Sequence, residues 1–261
     1  MNIIVCVKQV PDTTDIKWTE NNTIQREGVE SVINPFDVYA IETALKLKQT
    51  LPDVSITALT MGPSQAEDVL RKAISVGCDK GVLISDKKFA GADTYATAKT
   101  LATAIKTKLA NFDLIICGQF AIDGDTAQTG PEIAAQLGIP QVTYVKKIDR
   151  SDEKLSYATR ELEDGLEVVK FNYPALVCVL KQDFEPTRPL IDGFIKAQEA
   201  VITTYSMEDI GLTPEDVGIK GSPTFVSKAF RPLKNREKCT LLTDCEELCL
   251  KIQEFGGLSN E

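Results

Sequence analysis

NFDLIICGQFAIDGDTAQTGPEIAAQLG, residues Asn111–Gly138, decides the fold. Phe112 to Cys117 is a short apolar run without alternation, which suits a parallel strand covered on both faces. A loop rich in Gly, Asp and Thr follows, and a helix begins at about Ala127. The loop leaves the C-terminal end of the strand, where open α/β sheets bind ligands. A helix start offers unpaired backbone N–H groups and a partial positive charge, a seat for phosphate. Gly124 and Gly130 let backbone approach a ligand, and Thr126, Gln128 and Thr129 supply neutral donors. Asp123 and Asp125 fit either Mg²⁺ chelation or simple cap and turn roles. A lone D-G-D-T loop would carry little weight; its repetition along the chain carries more.

Working outward, Asn2 to Val7 (NIIVCV) reads as a buried strand with Lys8 and Gln9 at its C-terminal end. Residues Thr13 to Val29 are polar, with Asn21-Asn22 as a turn, and read as a hairpin or excursion. In Asn34-Pro35-Phe36-Asp37, Pro35 or Asp37 opens a helix running to about Gln49. Asn34 is either its cap or a reader of a ligand edge. Val54 to Thr60 is a second parallel strand, ending in Met61-Gly62-Pro63, with a helix after it. Gly81 to Ser85 is a third. Phe89, Gly91, Asp93 and Thr94 then lead into another helix. Four loops, after Val7, Thr60, Ser85 and Cys117, thus repeat one arrangement, and parallel strands put them all on one edge of the sheet. A nucleotide crevice is the expected result.

The crevice would not follow the common patterns. No G-x-G-x-x-G follows the first strand, and no G-x-x-x-x-G-K-S/T occurs. The net charge of −9 excludes a basic nucleic-acid groove. No leader is recognised at Met1–Val10, and no apolar run approaches the roughly 20 residues of a membrane helix, so the cytoplasm is expected. The 261-residue chain holds seven cysteines and no histidine. Cys239, Cys245 and Cys249 cluster without a C-x-x-C pair, so reduced thiols rather than a metal site are expected. Without histidine the usual general base is missing, and redox chemistry must come from a cofactor.

After Pro140 the pattern changes. Gln141–Asp149, Lys154–Glu161, Leu166–Phe171 and Ala175–Lys181 read as strands joined by turns at Ser151-Asp152 and Asp164-Gly165, extending or flanking the sheet with antiparallel pieces. From Phe184 onward little core is apparent. Glu185 to Ile191 is a proline-stiffened loop, Lys196 to Thr204 a short polar segment, and Gly218 to Pro232 irregular; a helix using Leu241, Leu242, Leu248 and Ile252 closes the chain. The expected organisation is an α/β, Rossmann-like, doubly wound and mostly parallel sheet over 1–183, with a docking loop and C-terminal arm over 184–261 that pack on another subunit.

Together, Val5–Thr13 (VCVKQVPDT), Ile33–Leu45 (INPFDVYAIETAL), Met61–Pro63, Ala90–Thr94 (AGADT) and Gly118–Gln141 resemble the β subunit of electron-transfer flavoproteins over essentially the whole chain. The resemblance implies an α-subunit partner embraced by the C-terminal arm. It also implies nucleotide contacts at Cys6, Asn34, Pro35, Phe36, Asp37, Met61 and Gly118–Thr129. Plain members of that family hold AMP in this crevice. KQVPDT, KFAGADT and DGDTAQTGP look like the electron-bifurcating group, in which the crevice holds FAD reduced by NADH. That group divides the electrons between ferredoxin or flavodoxin and a second FAD in α, which feeds an acyl-CoA dehydrogenase or similar flavoenzyme. The docking loop of the family implies that Leu190 or Ile191 anchors the dehydrogenase. Three other readings use the same sheet: a quinone-linked nitrogen-fixation type, a stand-alone adenine-nucleotide regulator of the universal-stress type, and an ATP-pyrophosphatase-like ligase. The last lacks its Ser/Gly-rich loop after the first strand.

Overall fold

The structure, a computed structural model, describes residues 1–12, 31–150, 155–227, 241–242 and 244–254. The chain divides into two compact units, Met1–Ser227 and Lys228–Glu261.

In the first unit, β1 (Asn2–Cys6) is followed by β2 (Gln9–Pro11) and β3 (Ser31–Ile33), which pair as a separate antiparallel ribbon. The hairpin expected over Thr13–Val29 and the turn at Ser151-Asp152 lie outside the described residues. Next come α1 (Pro35–Thr50), β4 (Ser55–Met61), α2 (Glu67–Val76), β5 (Lys80–Ile84), α3 (Thr94–Lys108), β6 (Leu114–Gly118) and α4 (Thr129–Leu137). Then β7 (Gln141–Arg150), β8 (Leu155–Leu162), β9 (Gly165–Asn172), β10 (Ala175–Val179), α5 (Ile191–Glu199), β11 (Thr203–Tyr205) and the single turn α6 (Gly218–Gly221) complete the unit.

Nine strands form one sheet in the order β11-β5-β4-β1-β6-β10-β7-β8-β9. Neighbours from β11 to β7 are parallel, and β8 and β9 add an antiparallel edge. The sheet is therefore the mostly parallel, doubly wound α/β arrangement anticipated above. Side chains of alternating strand positions divide between two cores. Ile3, Val5, Leu114 and Ile116 face α1 and α2, whereas Ile4, Ile115, Cys117 and Leu176 face α3 and α4. Strands covered on both sides have no polar face, which is why β1, β6 and β10 read as continuous apolar runs. Burying each of these large aliphatic side chains contributes roughly 1.5–3 kcal/mol.

Two expectations change. Ala175–Val179 is not an antiparallel addition: it lies parallel between β6 and β7, buried at every position. Its sequence ALVCV could not tolerate an edge. The region after Phe184 also has more core than its composition suggests. In α5, Ala197 is buried and Gly193 packs so closely on the Ser75 carbonyl of α2 that no Cβ would fit. Thr203–Tyr205 extends the sheet beside β5, and Met207, Ile210 and Val217 enter the α3–α4 core. These residues belong to the first unit, which runs past 183 to Ser227. In the second unit, α7 (Cys245–Glu254) presents Leu248, Leu250 and Ile252 as exposed apolar residues.

Candidate nucleotide crevice

The strand order reverses at β1: the chain builds outward through β4 and β5, then returns to lay β6 on the other side of β1. Its helices change face at the same step, α1 and α2 on one side, α3 and α4 on the other. The loops leaving β1 and β6 must part here, and a crevice at such a switch point is the usual ligand position in open α/β sheets. Most of the residues singled out from sequence lie on this edge.

The exit loop of β6 has a pinned half and an open half. In the pinned half, Gly118 N–H donates to Asp37 Oδ1 at 3.2 Å, and Lys8 N–H donates to Asp37 Oδ2 at 2.7 Å. Asn34 donates from Nδ2 to the Phe120 carbonyl at 2.7 Å, and its Oδ1 accepts from Ile122 N–H at 3.2 Å. Lys8 Nζ pairs with Asp123 Oδ1 at 2.6 Å across the switch point. Gln119 is buried, its Oε1 accepting from Tyr144 N–H at 2.6 Å. Phe120 sits edge-on between Phe36 and Tyr144. Asn34 and Asp37 therefore spend their polar atoms on backbone, and Pro35 opens α1. Burial pushes the Asp37 carboxyl up to about 7, against the downward pull of the Lys8 and Gly118 N–H groups.

In the open half, the Ala121 carbonyl accepts from Gly124 and Asp125 N–H, closing a tight turn. Gly124, Asp125, Thr126 and Gln128 are exposed, as is Ile122. Asp125 and Ala127 adopt φ of 51° and 55°, a left-handed conformation that costs a non-glycine residue roughly 1–2 kcal/mol. Space is open around Gly124 where a Cβ would stand. Helix α4 begins at Thr129 without a side-chain cap, since Gln128 makes none. Pro131 has no N–H and Glu132 N–H donates to the Gln128 carbonyl, so the uncapped donors of the first turn are those of Thr129 and Gly130, and an anionic group fits their charge and hydrogen-bonding needs.

The other edge loops are mixed. Met61 and Gly62 are half-buried at the end of β4, and Gln9 donates to the Gln65 carbonyl at 3.3 Å. Phe89 is buried in the α3–α4 core, whereas Gly91, at φ 74°, is exposed. Asp93 caps α3 through Oδ1 to Ala96 N–H, while its Oδ2 accepts from both Thr224 N–H and Thr224 Oγ1. Burial pushes the Asp93 carboxyl upward, but these hydrogen bonds outweigh it and hold it below its ordinary value. Thr94 Oγ1 lies 3.3 Å from Gln128 Oε1 and 3.2 Å from Glu132 Oε1, joining the starts of α3 and α4. Burial, with the charge of Asp93, raises the Glu132 carboxyl despite the Thr94 hydrogen bond. Leu190 and Ile191 lie apart from this group at the exposed start of α5.

Beneath the crevice, register brings Cys6, Cys117 and Cys178 into one row across β1, β6 and β10 on the α3–α4 face. Hydrogen bonding with Cys178 and Cys6, and then burial, hold the Cys117 thiol well above its ordinary value. Gly130 of α4 packs against Cys178 Sγ with no room for a Cβ.

Sequence reasoning missed Glu132, Tyr144, Ser222 and Thr224. A glutamate in a first helical turn reads as ordinary dipole compensation. Tyr144 stands at φ 58° where the register of β7 shifts, and nothing local marks a bulge there. Ser222 Oγ accepts from Asp93 N–H at 2.8 Å across 129 positions, beyond the reach of local pattern.

The geometry defines a doubly wound α/β chain with a candidate site at its switch point, and comparison with known proteins narrows this. Residues 21–209 match the electron transfer flavoprotein domain, and the chain belongs to that family. It is 45% identical over 233 residues to the caffeyl-CoA reductase-Etf complex subunit CarD of Acetobacterium woodii, covering 89% of this chain and 88% of that protein. It is 45% identical over 238 residues to the electron transfer flavoprotein subunit beta of Megasphaera elsdenii, with coverage of 89% and 88%. It is 41% identical over 251 residues to protein FixA of Azorhizobium caulinodans, with coverage of 93% and 88%. The chain is thus a β-type subunit of electron-transfer complexes. Among the described residues, no helix is long and apolar enough to cross a membrane.

Proposed function

We propose that this chain is the β subunit of an electron-bifurcating electron-transfer flavoprotein, with FAD in the crevice and NADH as reductant. The carrying observation is the open half of the β6 exit loop, where the exposed residues Gly124, Asp125, Thr126 and Gln128 run into the uncapped start of α4. The amides of Thr126 to Thr129 and the hydroxyls of Thr126 and Thr129 would hold a diphosphate without a basic residue. The open space at Gly124 suits close approach of a ligand. The likeness to the CarD subunit of a reductase–Etf complex supports the bifurcating reading. When bound, the flavin supplies hydride acceptance and one-electron delivery, to ferredoxin or flavodoxin on one branch and toward the α-subunit FAD on the other. The protein's share is to bind, orient and shield; a chain without histidine offers no conventional proton shuttle.

An α subunit would receive the second unit, whose helix α7 displays Leu248, Leu250 and Ile252. Leu190 and Ile191, exposed by 78% and 80%, would dock the acyl-CoA dehydrogenase-type partner. The likeness to FixA favours a second reading, a quinone-linked carrier. AMP alone could also use the same amides. Flavin and AMP analysis of the purified heterodimer, with an anaerobic NADH titration, separates these. Two FAD per heterodimer and bleaching by NADH are expected; one FAD plus AMP, inert to NADH, overturns the proposal.

A further inference from the structure

We propose that Asn34 and Asp37 are positioning residues: their side chains hold the β6 exit loop against the end of β1, so that its open half presents its amides to a nucleotide. This rests on the crevice binding an adenine nucleotide, as argued above.

Both side chains are buried, Asn34 exposed by 1% and Asp37 by 6%. Each is spent on main chain at the switch point. Asp37 bridges the Lys8 and Gly118 N–H groups, the outgoing backbone of two adjacent parallel strands. Asn34 reads one carbonyl and one N–H of the loop, at Phe120 and Ile122. Its amide is thereby fixed in one orientation and has little left for a ligand. Gly118 completes the clip, because a Cβ there would strike Asp37 Oδ1 and come within 2.8 Å of the Phe36 carbonyl carbon. The clip ends where the loop becomes exposed, so a shift of the pinned residues moves the amides beyond them.

Chemistry gives this role a signature. The ionised carboxylate accepts two N–H groups; protonation turns one oxygen into a competing donor and loosens one strand end. Burial places that change near pH 7. Lys8 is the charged residue facing Asp37 from the β1 end, and its ammonium is paired in turn with Asp123. Nucleotide affinity should therefore rise with pH across neutrality. Fold stability should move the opposite way, since the buried carboxyl prefers its proton. A residue that merely holds the fold would move both together.

The test uses the α–β heterodimer freed of bound nucleotide by exhaustive dialysis, with ADP as probe and calorimetry from pH 6 to 8. Asp37→Asn and Asn34→Ala should each weaken ADP binding about tenfold at pH 8, at unchanged secondary structure. Wild-type affinity should gain about fivefold more than that of Asp37→Asn between pH 6 and 8; the probe's own phosphate titration is common to both and cancels. Gly118→Ala, which displaces the carboxylate without removing it, should repeat the loss. Should Asp37→Asn not fold, Gly118→Ala takes its place in this comparison: a folded variant whose affinity gains as much as that of wild type between pH 6 and 8 overturns the positioning role. So do folded Asp37→Asn and Asn34→Ala proteins that bind ADP like wild type. A wild-type heterodimer with no ADP binding overturns the nucleotide crevice itself, and the positioning role with it.

Discussion

The two halves of the loop after β6 share one stretch of chain and follow opposite rules. From Gly118 to Asp123 the polar atoms are pinned by Asn34, Asp37 and Lys8, with Gln119 and Phe120 folded inward. From Gly124 to Thr129 the backbone is largely exposed, left-handed at Asp125 and Ala127, and the following helix has no side-chain cap. The first half is held by side chains from elsewhere; the second closes one turn of its own, through the Gly124 and Asp125 N–H groups, and has no side chain over the helix start that follows. A loop able to bind must be held somewhere, and in the proposed function the holding and binding parts are separate in sequence.

The largest expected effect lies in the pinned half. Asp37 is an acid whose value in the fold, about 7, exceeds its ordinary 3.8, so the folded chain keeps this proton longer than the unfolded chain. Its contribution is therefore most favourable at low pH and declines as pH rises toward 7, by up to about 4 kcal/mol at 1.36 kcal/mol per pKa unit. Denaturant unfolding of Asp37→Asn should lack this decline, matching wild type near pH 4 and exceeding it at pH 8. Identical pH profiles would sink the assignment.

Two glycines sharpen the contrast next. Gly118→Ala should cost roughly 3 kcal/mol, because the new Cβ meets Asp37 and the Phe36 backbone. Gly124→Ala, with open space and no positive φ, should shift stability by under about 0.5 kcal/mol while weakening nucleotide binding. Thermal melts beside ADP titrations report both quantities, and equal stability losses would erase the distinction between the halves. Lys8→Met comes third. It removes one partner of a carboxylate exposed by only 3%, but Lys8 itself is 41% exposed, so a loss of about 1 kcal/mol is expected by urea denaturation, shrinking in high salt. The smallest effect is at Ala127→Gly. Relief of the left-handed strain is offset in part by glycine's greater freedom in the unfolded chain, leaving a gain of about 0.5 kcal/mol in melting experiments.

The parallel half of the fold was legible because its signals are local. NIIVC, SITALTM and LIICG are apolar runs bounded by turn residues, and their helices begin at Pro35 and Asp93 and end at Gly77 and Gly138. The edge on which the candidate loops gather followed from those strand ends. What did not follow was the job of each side chain. Asn34 reads equally as a cap or a ligand contact; its true partners are 86 and 88 positions away. Asp93 was recognisable as a cap, but its second oxygen serves Thr224, 131 positions on. The segment after Phe184 was misjudged for a related reason. β11 consists of Thr-Thr-Tyr and enters the sheet through backbone pairing, so its composition carries no apolar signature. α5 buries one small residue, Ala197, and relies on Gly193 for close approach, so its helical face looks unremarkable in sequence.

That short strand has a practical consequence. β11 occupies the flank of β5, whose Val82, Leu83 and Ile84 are buried. A protein cut at 183 would leave this row of amides and carbonyls beside an apolar segment, a template for pairing with another copy. Truncated versions of the subunit should self-associate and precipitate even with the crevice intact, and their solubility should return when the chain is extended through Tyr205.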